Sequence, residues 1–158
     1  MDDASRVLCM DVTGGLIALA VALAAACLLG VAWRRRAGQF RPAPGRTSGP
    51  ATVTGPDVLT GADLGGPLGR RATLVQFSTA FCAPCRPTRL ILAQVADVVD
   101  GVTHVEVDAA SRLDLVRRLR INSTPTVFVL DPDGAIVKRA AGLPRKADVI
   151  AALGSVIE

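Results

Sequence analysis

The stretch "FSTAFCAPCRPT", residues 77–88, contains two of the four cysteines of this 158-residue chain, and they are two residues apart. Cys82 and Cys85 could bind a metal, close a structural disulfide or carry out redox chemistry. A tetrahedral zinc site needs four protein ligands, or three and a water. The single histidine, His104, adds one ligand, and the other cysteines lie before or within a long apolar segment. Neither a metal site nor another cofactor is therefore expected.

The surroundings of the two cysteines favour redox chemistry. A structural disulfide across two residues closes a very small loop and stabilises little through chain entropy. Residues 72–78, "ATLVQFS", are typical of a buried strand, and residues 83–100 have the apolar periodicity of a helix. A Cys82 thiolate at that helix start would face the positive end of the dipole, which lowers a thiol pKa from about 8.5 to roughly 7 or below. Cys85, one turn inside the helix, is expected to be more buried and to resolve a mixed disulfide.

The remaining pattern predicts an α/β domain with a mixed sheet, because it contains one βαβ unit and ends in a hairpin. Ser111 and Asp114 are spaced as in a capping box, which predicts a helix start. The hairpin is predicted because two apolar runs flank "PDG". The further predicted elements are a strand at 102–108, a helix at 111–121, strands at 126–131 and 135–142, and a helix at 145–157.

These motifs together resemble the thioredoxin family. "FCAPC" follows an apolar strand, "STPT" comes about forty residues later, and a hairpin leads to a glycine and a final helix. The similarity covers residues 57–158 and implies a thioredoxin-like fold with a mixed central sheet flanked by helices. Residues 59–78, "LTGADLGGPLGRRATLVQFS", are similar to the corresponding part of membrane-tethered thioredoxin-like disulfide reductases.

The resemblance also implies roles for individual residues. Pro125 corresponds to the family's cis-proline facing the cysteine pair, and Thr124 would offer backbone groups to an extended substrate segment. Phe81 stands where typical thioredoxins have tryptophan, and we expect it to contact the substrate with Thr124 and Pro125. The alternative for "STPT" is an ordinary turn before a strand.

The chain departs from the family on the strand before the motif, where the family has a buried acid and this chain has Gln76. A carboxamide does not titrate in the working range, so Gln76 cannot help deprotonate the second cysteine. His104 aligns with the lysine that often accompanies the acid, and its imidazole could accept a proton instead. The alternative interpretation, which the sequence favours, is an exposed strand histidine. Arg86 and Arg89 could stabilise a thiolate or simply lie on a solvated face.

Near the N-terminus, residues 14–33, "GGLIALAVALAAACLLGVAW", contain no charge over twenty positions. At 1.5 Å per residue such a helix is roughly 30 Å long, which matches a bilayer's hydrocarbon core. Trp33 would suit the interfacial aromatic belt. A buried core helix, a secretory signal and a lipoprotein site at Cys27 are alternatives. The acidic N-terminal residues, the length of the span and the basic cluster after it favour a retained membrane helix.

The orientation of that helix is predicted from its flanking charges. One basic residue precedes the span and five follow it, so the positive-inside rule places the C-terminal side in the cytoplasm. The net charge of +4 does not indicate nucleic-acid binding, because the basic residues are scattered and few aromatics accompany them. The predicted organisation is a short segment at 1–13, a transmembrane helix at 14–33, a basic Pro/Gly-rich linker at 34–56 and a thioredoxin-like domain at 57–158.

The predicted function is a membrane-anchored thiol-disulfide oxidoreductase that reduces protein or small-thiol disulfides through Cys82 and Cys85. An unidentified thiol system would have to return the electrons. One alternative is an extracytoplasmic oxidoreductase in envelope or cytochrome maturation. The other is a non-catalytic thioredoxin-like module that binds a membrane partner through the same groove.

Overall fold

A computed structural model describes residues 3–36, 38–42 and 58–157 of the chain. It divides into two compact units, Met1–Arg36 and Ala37–Glu158.

The first unit is one helix, α1, which spans Asp3–Arg36. Its stretch Gly15–Ala32 has a mean hydropathy of 2.6, and none of that stretch is buried within the protein. By length and composition this segment could cross a membrane or serve as a signal sequence. The helix begins well before residue 14, so the described part of the short N-terminal segment at 1–13 is helical as well.

The second unit contains a five-stranded mixed sheet with the order β1-β5-β4-β2-β3. β2 pairs parallel with β3, and the pairs β2–β4, β4–β5 and β1–β5 are antiparallel. This confirms the predicted mixed sheet, the βαβ unit and the terminal hairpin. The strands are β1 Arg41–Pro42, β2 Ala72–Ser78, β3 Val102–Asp108, β4 Thr126–Leu130 and β5 Ile136–Ala141.

Helices cover both faces of this sheet. They are α2 Gly61–Leu64, α3 Cys85–Val98, α4 Leu113–Arg118 and α5 Lys146–Ile157. Alternate residues of β2 enter two separate cores, as a strand's period of two requires. Leu74 packs with Leu92 of α3 and Val149 of α5, whereas Phe77 packs with Leu64 of α2 and Leu115 of α4. Gln76, two residues after Leu74, therefore lies on the same face of the sheet as Leu74.

The predicted capping box at Ser111 and Asp114 is wrong. The helix begins at Leu113 and its N-cap is Arg112, which makes no side-chain capping bond. Ser111 Oγ instead donates to the carbonyl oxygen of Asp108, and the Asp114 carboxylate accepts from Arg112. Local turn contacts compete with the helix for such short polar side chains, and here the turn after β3 uses them. A capping box does occur earlier, between Thr60 and Asp63 at the start of α2, a helix that the sequence did not predict.

Part of the predicted linker belongs to the sheet. Arg41 and Pro42 pair with Arg139 and Lys138 of β5, because an open sheet edge offers unpaired backbone groups to a passing extended segment. Gly38 donates to the Ala141 carbonyl with φ of +86°, a conformation that favours glycine. The rest of the linker prediction, residues 43–56, lies outside the described residues.

Candidate active site

The cysteine pair lies in the short connection between β2 and α3. Cys82 N–H donates to the Thr79 carbonyl at 3.2 Å, and Cys85 N–H donates to the Cys82 carbonyl at 3.0 Å. These two turns bring the cysteines together, and their sulfurs form a disulfide with a Cα–Cα distance of 5.3 Å. Cys85 is 3% exposed and Cys82 is half-buried. The pair therefore has one partly exposed cysteine and one buried cysteine.

The helix α3 begins at Cys85, two residues later than predicted, and its N-cap is Pro84. Prolines have no amide hydrogen, so Pro84 and Pro87 leave few backbone donors at this end. The Cys85 amide is already bonded to Cys82, and the Arg86 amide supplies the other donor among the first three helical residues. A Cys82 thiolate at this position still faces the positive end of a fourteen-residue helix.

The "STPT" loop lies against the same connection. The Thr124–Pro125 peptide bond is cis, as the resemblance implied. The hydroxyl oxygens of Thr79 and Thr124 are 3.2 Å apart, which ties the loop to the turn that holds Cys82. Pro125 is buried, Thr124 is half-buried, and the Pro125 carbonyl accepts from Gly142 N–H at 2.8 Å. The structure thus brings together the cysteine pair and the two loop residues expected from the sequence.

Phe81, next to Cys82, is fully exposed at 101% of its reference area. The ring therefore packs against no part of the hydrophobic core. It is therefore available to a partner that approaches the disulfide.

Gln76 is fully buried on the face of the sheet that α3 covers. Its Nε2 donates to the Cys85 carbonyl at 3.0 Å, so the residue that replaces the family's acid directly contacts the second cysteine's backbone. Because a carboxamide does not ionise, this contact orients the loop without supplying a base.

His104 is half-buried, so the interpretation of an exposed strand histidine is wrong. It pairs with Leu74 in the register of β2 and β3. Burial lowers the pKa of His104 below its ordinary value, the Glu106 carboxylate opposes this shift, and the Arg89 guanidinium adds to it. Its Nε2 is buried without a hydrogen-bond partner among the described residues. The imidazole is therefore neutral near pH 7 and has a nitrogen available.

Arg89 and Glu106 form an ion pair on the face of the sheet that carries Gln76 and His104, and the sequence alone did not predict it. Arg89 of α3 binds Glu106 of β3 with both Nε and an Nη, at 2.6 and 2.7 Å, and Ser78 Oγ donates to Glu106 at 2.6 Å. Burial would raise the pKa of Glu106, but the hydrogen bonds from Arg89 and Ser78 outweigh it and hold the pKa below its usual value. The alternation of residues along β3 could have indicated this position, because it puts Glu106 on the same face as His104 and next to Gln76. Arg89 is thus committed to Glu106, whereas Arg86 is exposed.

The difference in exposure between the two cysteines predicts which of them reacts first. In the reduced protein at limiting alkylating reagent, Cys82 should be modified well before Cys85, because Cys85 is 3% exposed and the helix dipole favours the Cys82 thiolate. Peptide mapping by mass spectrometry after short reaction times measures the ratio. Preferential modification of Cys85 would contradict the assignment of Cys82 as the nucleophile.

A disulfide between a strand end and a helix start, opposite a cis-proline loop, defines a thiol-disulfide oxidoreductase of the thioredoxin-like class. The model of the thioredoxin-like domain family matches residues 67–157. The chain belongs to this family, and the enzyme class follows from the family and the cysteine pair.

Individual relatives agree with this assignment. The thioredoxin of Mycoplasma genitalium is 30% identical over 81 residues, which cover 51% of this chain and 78% of that protein. The thioredoxin of Mycobacterium tuberculosis is 28% identical over 88 residues, 55% of this chain and 75% of that protein. Among solved structures, chloroplastic thioredoxin z has a TM-score of 0.50 at 28% identity, with 55% of this chain and 79% of that chain covered. A Halobacterium salinarum thioredoxin mutant shares the fold, with a TM-score of 0.52 at 20% identity over 56% of this chain and 77% of that chain.

Proposed function

We propose that this protein is a membrane-anchored disulfide reductase whose catalytic domain faces the cytoplasm. The observation that carries the proposal is the cysteine pair of the β2–α3 connection, with Cys82 partly exposed and Cys85 buried, beside the cis-proline loop. The proposed substrates are disulfides of proteins or small thiols, and a separate thiol system regenerates the dithiol.

The reaction proceeds by two exchanges between thiolate and disulfide. The Cys82 thiolate attacks one sulfur of the partner's disulfide, a bond forms between them, and the other partner sulfur leaves as a thiolate that takes up a proton. Cys85 then loses its proton and attacks Cys82. The Cys82–Cys85 bond forms and the second partner thiol leaves. Two electrons have passed to the partner, and an external dithiol or two monothiols must return them.

Three residues are proposed to receive the substrate. Thr124 and Pro125 lie in the loop tied to the Cys82 turn by the contact between the Thr79 and Thr124 hydroxyls. Backbone groups of Thr124 would pair with an extended substrate segment, as in strand addition. The exposed ring of Phe81 would contact apolar side chains near the substrate disulfide.

His104 is proposed to accept the proton that Cys85 releases. Its lowered pKa keeps the imidazole neutral and able to accept, and its Nε2 lies buried on the face that α3 covers. A direct transfer or one through a single water would meet the geometric need of general-base catalysis.

The membrane anchor rests on the apolar stretch Gly15–Ala32, all of it exposed in the structure. Burying so much apolar surface in a bilayer removes it from water. Five arginines follow this stretch within a short distance, at positions 34, 35, 36, 41 and 46. Their number, against the single Arg6 before it, supports a cytoplasmic domain by the positive-inside rule.

Catalysis of insulin reduction by dithiothreitol tests the proposed activity. The full-length protein in detergent should shorten the lag before insulin chains precipitate, because Cys82 exchanges with insulin disulfides faster than the small thiol does. A variant with both Cys82→Ser and Cys85→Ser should show only the uncatalysed rate. Cys27→Ser, which removes an exposed thiol of α1, is the matched control and should keep full activity. Equal rates for the double variant and the parent would support the non-catalytic module instead.

The topology has its own test. A membrane-impermeant maleimide applied to intact, reduced cells should leave Cys82 unmodified, and modification should appear once the membrane is permeabilised. The expectation follows from the arginine cluster after the apolar stretch. A Cys9→Ser, Cys27→Ser background removes labelling within α1. Efficient modification of Cys82 from outside would place the domain beyond the membrane and favour the envelope or cytochrome-maturation function.

A further inference from the structure

The Gln76 carboxamide has one orientation only. Its Nε2 lies 3.0 Å from the Cys85 carbonyl oxygen. A carbonyl oxygen can only accept, so the amide nitrogen must face it and the oxygen Oε1 must point away. Because Gln76 has no exposed surface, Oε1 is also buried, on the face of the sheet that α3 covers.

In the disulfide form, Oε1 of Gln76 has no hydrogen-bond partner among the described residues. A buried acceptor without a donor is costly, because it has given up its water without replacement. The sulfurs of Cys82 and Cys85 carry no hydrogen while they are bonded to each other. Reduction changes this, since the Cys85 thiol then has a hydrogen to donate.

We propose that Gln76 is a positioning residue that shifts the redox equilibrium: its Oε1 accepts a hydrogen bond from the Cys85 thiol in the reduced protein only. The hydrogen bond stabilises the dithiol relative to the disulfide, so Gln76 makes the protein a weaker reductant than an apolar side chain at this position would. This inference rests on the proposed function, and it adds a residue that influences the direction in which electrons flow between the cysteine pair and its partners.

Other groups on this face are less suited to pair with Oε1. Glu106 and Arg89 are bound to each other. His104 Nε2 is also buried and unpaired among the described residues, but His104 is in register with Leu74, the preceding position on this face of β2. A bond between Gln76 and His104 would also exist equally in both redox states, so it would leave the redox equilibrium unchanged.

Redox titration of the full-length protein in detergent tests the inference. In a Cys9→Ser, Cys27→Ser background, the protein is equilibrated with mixtures of reduced and oxidised glutathione. Two glutathione thiols supply two electrons and two protons, the Cys82–Cys85 bond breaks, and one glutathione disulfide forms. The Gln76→Met variant should have an equilibrium constant for reduction about 5- to 30-fold lower than the parent, since it loses the acceptor. A tenfold decrease corresponds to a potential about 30 mV more negative.

Thr88→Val is the matched control. Thr88 is also fully buried, and its Oγ1 donates to the Pro84 carbonyl at 2.8 Å, so both variants lose a side-chain bond to the start of α3. The Thr88 hydroxyl bonds to a backbone carbonyl and not to a cysteine sulfur. The equilibrium constant for reduction of Thr88→Val should therefore stay within twofold of that of the parent. An unchanged constant in Gln76→Met, or an equal decrease in Thr88→Val, overturns the inference. If the parent reaches no reversible equilibrium with glutathione, the proposed function itself fails.

Infrared spectroscopy provides a second readout that does not depend on the stability of Gln76→Met. In a Cys82→Ala variant of the same background, Cys85 carries the sole thiol. Its S–H stretching band should lie at lower frequency than that of a thiol without a hydrogen bond, because donation weakens the S–H bond. The Gln76→Met substitution, where it folds, should return the band to the higher frequency. A band at the frequency of an unbonded thiol with Gln76 present contradicts the inference.

Discussion

Replacing Cys85 by serine should abolish turnover while it leaves the first attack on a substrate disulfide intact. Cys82 is half-buried and keeps its place in the connection before α3, so it still forms a mixed disulfide. The sulfur that resolves this intermediate is gone. A well-placed intramolecular thiol attacks as if it were present at a very high concentration. Without it, turnover should fall by roughly 10³-fold or more.

The measurement combines steady-state insulin reduction with trapping. Cys85→Ser should accumulate a covalent adduct with its substrate on non-reducing gels, and dithiothreitol should release it. Cys82→Ser should be equally inactive but should form no adduct, because the buried Cys85 cannot reach the substrate. Adducts on Cys85 in the Cys82→Ser variant would reverse the assigned roles. Substantial turnover by Cys85→Ser would show that an external thiol resolves the intermediate.

The Gln76→Asp substitution should speed the resolving step and destabilise the domain. A carboxylate beside Cys85 could take its proton, which Gln76 cannot do, and general-base help of this kind is worth roughly 10²-fold or more where it operates. The new carboxyl occupies a fully buried position. Its ionised form loses its hydration, at a cost on the order of several kcal/mol before any relief by protonation.

The stability change should depend on pH in a defined direction. Burial raises the pKa of a new carboxyl at position 76 in the folded state above its value in the unfolded chain. Between these two pKa values the folded state binds more protons, so stability falls as pH rises. Urea midpoints of Gln76→Asp and the parent should therefore converge toward pH 4 and diverge toward pH 7.

Stopped-flow reduction of a model disulfide separates the two chemical steps in Gln76→Asp. The attack by Cys82 should keep its rate, and the resolution by Cys85 should accelerate near neutral pH. Gln76→Asn, which shortens the side chain without adding a charge, is the matched control for the altered packing. If stability falls while resolution is unchanged, proton removal by this position does not limit the reaction. His104→Ala is then the next variant, and slower resolution in it would support His104 as the acceptor.

Much of the site was predictable because its signals are local. The spacing of Cys82 and Cys85 after an apolar strand, and the Thr-Pro step forty residues later, depend on neighbouring residues alone. The buried strand Ala72–Ser78, the strand Val102–Asp108 and the hairpin follow from apolar runs and turn residues for the same reason. The sequence by itself also determined that a long uncharged apolar helix precedes a thioredoxin-like domain along the chain.

The tertiary structure decided what depends on pairing between distant segments. Arg41–Pro42 joined the sheet because β5 had an open edge, which no local pattern in a Pro/Gly-rich segment indicates. Burial of His104 depends on α3 covering its face of β3. The contacts of Glu106 with Arg89, and of Gln76 with the Cys85 carbonyl, need the exact alignment of a strand with a helix. A hydrogen bond forms only within a few tenths of an ångström of its ideal length, and sequence spacing does not determine distances between separate elements that finely.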